Sequence, residues 1–162
     1  MLLVDDIKGR LPGVEEDPSL VPLFRGVWSL APYVVLPETP MGTRAIVEMT
    51  DGWLEGRGMR ARARSRACAD WLVVGADGTA TMDYRGTVET EDGHVLYLYG
   101  GGRCDLSSGF GEGRILRGAV HFETSCDKYR WLNRMHAVFR GVVVGDGARG
   151  NATLHDEWFE VR

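Results

Sequence analysis

From residue 23 onward the chain alternates apolar and polar side chains. In residues 79–90, Ala80, Met82, Tyr84 and Val88 share one parity, and Thr79, Thr81, Asp83, Arg85, Thr87 and Glu89 share the other. A period of two places the two sets on opposite faces of a strand. The same reasoning predicts strands over residues 23–30, 45–50, 53–65, 68–74, 80–90, 95–99, 115–124, 137–144 and 153–161, with a brief strand before a Pro- and Gly-containing loop at 34–44. Asp51-Gly52, Asp77-Gly78 and Asp92-Gly93 are hairpin signals between these segments. About eight or nine strands joined in this way suit a closed antiparallel barrel.

Two segments interrupt the pattern. Residues 100–114 are dense in glycine and predict a flexible loop that gates one end of the barrel. They lack the lysine and hydroxyl of a phosphate loop. Residues 127–140 contain neither glycine nor proline, and Leu132, Met135, Val138 and Phe139 fall at helical spacing after a capping Asp127, so pattern alone leaves helix and strand equally open. Residues 1–22, with acids at 15–17 between Pro12 and Pro18, read as an extended N-terminal arm, and residues 23–162 as a single barrel domain.

Composition sharpens this reading. Of 162 residues, 22 are glycine, about twice the usual share, which leaves little room for long helices. Nineteen Lys+Arg against 23 Asp+Glu give a net charge of −4, which argues against a general nucleic-acid binder. No apolar run approaches the roughly 20 residues of a membrane helix, and the N-terminus lacks the basic flank of a secretory signal. A cytoplasmic protein is expected, with no nucleic acid or membrane as partner and a homodimer left open. Cys68, Cys104 and Cys126 are odd in number and widely spaced, and read as reduced thiols.

Four segments, GTRAIVEMTDGWLEG (42–56), ACADWLVVGADG (67–78), MDYRGTVETEDG (82–93) and HFETSCDKYRWLNR (121–134), resemble in order and spacing the bacterial and fungal family called domain of unknown function 3237. The resemblance implies an all-β, lipocalin-like antiparallel barrel with a central pocket. It also implies a strand over 134–144, with at most a helical turn near 129–133. It implies no established reaction.

Candidate chemistry rests on carboxylates. Asp70 enters the apolar run Leu72–Val74, where an acid needs a partner or a task. Asp83 and Arg85 share a strand face, read either as a solvated ion pair or as a lumenal acid–guanidinium pair; the resemblance favours the lumen. Asp70, Asp83 and Arg85 are therefore the candidate catalytic residues. A hairpin about residue 77 sets Asp70 opposite position 84, so a one-residue slip or bulge decides whether all three share a face. Glu55, Trp71, Tyr97, Glu123, Trp131 and Asn133 are candidate substrate contacts. His121, His136 and Glu123 could meet across a hairpin, but no metal is expected. Arg60, Arg62, Arg64 and Arg66 alternate along one strand and read as a solvated outer face. No nucleophile elbow, dinucleotide fingerprint or zinc-protease motif is present, so no cofactor is expected. What remains suits proton transfer on a small, hydrophobic, carbonyl-bearing metabolite: an isomerase, cyclase or hydro-lyase, of the kind found in natural-product biosynthesis. The alternative is a non-catalytic carrier with the same barrel.

Overall fold

The computed structural model describes Gly13 and residues 16–162, with the side chains of residues 65 and 66 left out. The expected N-terminal arm and Arg66 of the arginine stripe thus fall mostly outside the described residues. Nine strands follow in order: β1 (Leu20–Leu30), β2 (Val34–Thr39), β3 (Gly42–Gly56), β4 (Met59–Val74), β5 (Thr79–Thr90), β6 (Val95–Asp105), β7 (Ile115–Glu123), β8 (Ala137–Asp146) and β9 (Asn151–Val161). The sheet runs β1-β9-β8-β7-β6-β5-β4-β3-β2, and an added β1–β3 pairing closes it. Eight antiparallel strands form the ring, and β2 lies outside it as a flap on β3. The barrel is the one expected. β1 starts at Leu20, three residues before the predicted boundary.

Two of the three Asp-Gly signals make turns, with Gly78 and Gly93 at φ 81° and 82°. Asp51-Gly52 does not: it lies inside β3. There the β3–β4 register shifts between Glu48 and Trp53. The strand pairs with β2 before this point and with β1 after it. Gly52 is required because a Cβ there would stand 2.5 Å from the Val27 carbonyl oxygen. The true β3–β4 turn is Arg57-Gly58, both with positive φ, between the paired Gly56 and Met59. A two-residue loop with both φ positive matches the twist of a hairpin. β4 then runs unbroken to Val74, across the expected break at 66–67.

The glycine-dense segment also divides. Gly100, Gly101 and Gly102 belong to β6 and pair with Val120, Ala119 and Gly118 of β7. A Cβ on Gly100 or Gly102 would lie 2.1 or 2.2 Å from a β7 carbonyl oxygen. These glycines serve close strand approach rather than flexibility, and the loop proper is 106–114.

Inward residues of every ring strand make one core, including Phe24, Leu54, Val88, Leu98, Val120 and Trp158. One end is plugged by a 3₁₀ helix, Asp127–Arg134, whose Tyr129 and Leu132 are buried. This resolves the 127–140 ambiguity: a short helical segment, then β8. Asp92, in the β5–β6 turn, ties the plug down. It accepts hydrogen bonds from Lys128 Nζ (2.6 Å), Thr90 Oγ1 (2.6 Å) and the Tyr129 hydroxyl (3.0 Å), and these partners hold its carboxyl far below the usual range. Strand direction places residues 31–33, 75–78, 106–114 and 147–150 at the opposite end, where the barrel opens. No helix among the described residues is long and apolar enough to cross a membrane.

Candidate functional site

The barrel encloses a cavity of ≈ 100 Å³, comparable in scale to the roughly 150 Å³ apolar cavity that holds benzene. Its wall is mostly apolar, including Leu30, Val47, Leu72, Met82, Leu116 and Phe139. Into this wall project Asp70, Tyr84, Asp156 and the indoles of Trp28 and Trp158. Asp70 comes from β4 and pairs in register with Tyr84 of β5. Its Oδ1 accepts the backbone N–H of Asp83 at 2.9 Å. Burial pushes the Asp70 carboxyl up to about 6, and the negative charge of Asp83 adds to the effect.

Asp156 lies on the inward face of β9 with Leu154 and Trp158. Its register partners on either side are Gly26 of β1 and Gly141 of β8. A Cβ at Gly26 would lie 2.3 Å from Asp156 Oδ1, so the missing side chain is what makes room for the carboxyl. Oδ2 accepts the Trp28 indole N–H at 2.9 Å, while Oδ1 has no hydrogen-bond partner. The Trp158 N–H stands close enough to favour the charged form of this carboxyl but does not complete a hydrogen bond. Burial outweighs both indoles and the nearby Gly26 backbone N–H and raises Asp156 to about 6. Tyr84 is driven well above its ordinary value, first by burial and then by Cys68, with Asp156 and Asp70 adding to it. Both carboxyls therefore act on one tyrosine. Its hydroxyl contacts Cys68 Sγ at 3.9 Å.

The open end is built from loops. The Leu106 N–H bonds to the Gly78 carbonyl and the Gly113 N–H to the Val143 carbonyl, so the 106–114 loop is fixed at both ends. Between these anchors Phe110 packs edge-on against Tyr33, with ring centroids 6.0 Å apart. Tyr33, Phe110, Gly111 and Arg114 rim the cavity.

A family model described as "Protein of unknown function (DUF3237)" matches residues 18–155. The chain belongs to this family. No curated protein matches it. Among solved structures, a β-barrel-like protein from Acinetobacter baumannii is 27% identical with a TM-score of 0.75, over 93% of this chain and 99% of the other. A protein of unknown function from Clostridium acetobutylicum is 17% identical with a TM-score of 0.75, over 90% and 100%. A protein from Penicillium herquei, described as an enzyme, is 22% identical with a TM-score of 0.66, over 94% and 100%. The last two likenesses establish the fold alone.

Of the sequence candidates, only Asp70 reaches the cavity of this DUF3237 barrel. Because Asp70 pairs with Tyr84, the neighbouring positions 83 and 85 face outward. Asp83 and Arg85 form an exposed ion pair at 3.3 Å on the outer wall, which corrects the lumenal expectation for both. The other candidates are outside as well. Glu55 stands 3.9 Å from Arg60 on the surface, and Trp71 is 39% exposed. Tyr97 stacks on Tyr99 outside the wall, and Glu123, its register partner, is exposed. Trp131 lies under Arg57. Asn133 bonds both polar groups of the Thr124 backbone, as a brace rather than a substrate contact. His121 and His136 do meet, at 4.9 Å between centroids, but no group of three metal-ligating side chains occurs among the described residues. Arg60, Arg62 and Arg64 are exposed and ion-paired, as a solvated face requires. Asp156 was legible by the rule that singled out Asp70: it is an acid on the apolar parity of Ala152, Leu154 and Trp158. Tyr84 likewise lies on the apolar parity of its strand.

Proposed function

We propose that this barrel is a cofactor-independent acid–base enzyme acting on a small, hydrophobic, carbonyl-bearing metabolite, as an isomerase, cyclase or hydro-lyase. The observation that carries this reading is a pair of carboxyls in one apolar cavity, Asp70 buried and Asp156 half-buried with its Oδ1 enclosed, both raised to about 6. A group with a pKa near working pH can both take and return a proton. Asp156 is the stronger candidate for proton transfer, because its Oδ1 has no hydrogen-bond partner among the described residues. The Trp158 N–H beside it is a donor suited to a developing oxyanion. Asp70, held by the Asp83 N–H, is the second proton carrier. Asp83 and Arg85 have no part in it.

Deuterium incorporation from D₂O into small apolar ketones, cyclohex-3-enone and phenylacetone, tests this by NMR. The parent protein should accelerate exchange, and Asp156→Asn should slow it by about 10²-fold or more, with Asp70→Asn also impaired. The carrier reading remains because the lining is apolar with few polar groups. It prevails if the ketones quench Trp28 and Trp158 fluorescence but exchange no faster than in buffer.

A further inference from the structure

Among the described residues, four buried side-chain nitrogen or oxygen atoms have no hydrogen-bond partner: Arg114 Nε, His121 Nδ1, Asp156 Oδ1 and Trp158 Nε1. Three of the four belong to residues that line the cavity. Asp156 and Trp158 lie in its wall and are accounted for above. Arg114 is at the rim, where the 106–114 loop meets β7. Several arginines of the outer wall find carboxylates, as Arg62 does with Asp51 and Arg64 with Glu89, and among the described residues only Arg114 has a buried guanidinium nitrogen without a hydrogen-bond partner. Among the described residues Arg114 forms no ion pair, although its charge is felt by Asp105. Its guanidinium lies near Gly111, where a Cβ would be 3.6 Å from Nη2 and 3.7 Å from Nε. Phe110, Leu106 and Leu116 share the same rim and wall. A buried guanidinium Nε–H with no hydrogen-bond partner among the described residues is costly to leave unfilled.

The geometry points to Arg114 as an anion clamp, and to a substrate that is an apolar acid whose carboxylate sits at the mouth while its reactive carbon reaches the interior. The Nε–H and one Nη–H of a guanidinium form a planar fork that matches the two oxygens of a carboxylate. Arg114 is half-buried, and the apolar side chains of Leu106, Phe110 and Leu116 beside it strengthen that pair relative to one in open water. The two acidic groups of the interior do not compete for the same place. Asp70 lies four residues before the end of β4 at Val74, and Asp156 five residues after the start of β9 at Asn151, so both stand well below the rim. A ligand with a carboxylate at one end and an apolar body therefore spans from Arg114 to Asp156 with its charge at the cationic end. This assignment rests on the acid–base reading only for what happens at the inner end; recognition at the mouth is independent of turnover.

The test is binding, read by quenching of Trp28 and Trp158. The probes are benzoate, cyclohexanecarboxylate and 3-phenylpropanoate, each set against its neutral amide. At least one acid should bind the parent tenfold or more tightly than its amide. Arg114→Gln should abolish that preference, and Arg114→Lys, which keeps the charge but not the fork, should retain only part of it. The inference is overturned if no acid in the set binds more tightly than its amide, or if Arg114→Gln keeps the preference. Acid preference and ketone exchange, both measured on the parent, separate the two readings. Acid preference without ketone exchange in the parent defeats the proton-transfer reading alone. Ketone exchange without acid preference defeats the anion clamp alone.

Discussion

Trp28 and Asp156 join β1 to β9 inside the barrel: the indole Nε1 donates to Oδ2 at 2.9 Å. A hydrogen bond to a carboxylate favours its charged form, and bonds of this kind contribute about 1.5–3 kcal/mol. Trp28→Phe keeps the ring in the core and removes the donor. The Asp156 carboxyl should then titrate about one to two pH units higher than in the parent, followed by carbon-13 NMR of labelled aspartate. An unchanged midpoint would show that the bond does not set the acidity of this group.

The two cavity carboxyls impose a direction on stability. Each has a folded value of about 6 against an ordinary 3.8, so between these values the native state holds protons that the unfolded chain releases. Their contribution is fully present below the unfolded value and is lost as pH rises through about 6. Urea denaturation should show each carboxyl withdrawing about 1.4 kcal/mol between pH 5 and pH 7.5. The double variant Asp70→Asn, Asp156→Asn should lose most of this slope. Asp92, Asp77, Asp105 and Glu160 are shifted down by their partners. They work in the opposite sense and fade only as pH falls below the ordinary carboxylate range. Equal slopes in parent and double variant would contradict the assignment.

Gly26 should not tolerate a methyl group. Its Cβ would stand 2.3 Å from Asp156 Oδ1 and 2.7 Å from Trp28 Nε1. Gly26→Ala should cost about 1–3 kcal/mol by overpacking, and should slow ketone exchange as Asp156→Asn does, because the carboxyl is displaced. Stability and exchange rates equal to the parent would mean that the wall has slack at this point.

Amide hydrogen exchange should divide the glycine-dense segment. Gly100, Gly101 and Gly102 lie in the β6 ladder and should exchange slowly. Ser108, Phe110 and Glu112, which lie between the bonded amides of Ser107, Gly109, Gly111 and Gly113, should exchange fast. Uniform exchange across 100–112 would place the strand end elsewhere.

The sequence by itself determined the barrel class, because alternation and glycine content are local properties, but it placed only two of the three Asp-Gly reversals correctly: Asp51-Gly52 lies inside β3, and the chain turns instead at Arg57-Gly58. Counting from the turn at 77–78 set Asp70 opposite position 84 to within one residue, and the structure settles the pairing on Tyr84. It did not determine which face is inside. Asp83 and Arg85 form a chemically attractive pair, yet the face is chosen by Ala80, Met82 and Val88, whose burial outweighs any gain from enclosing a charge pair. Only the closed ring decided the site. Asp156 stands 86 positions after Asp70, and nothing in their spacing joins them. The β1–β3 pairing that closes the ring brings both acids to one cavity, and the glycines at 26 and 141 gain their meaning only as register partners of Asp156. Arg114 was silent in the sequence for the same reason: one arginine after a glycine-dense loop gains a meaning only when the loop folds at the mouth and leaves its Nε buried with no hydrogen-bond partner among the described residues.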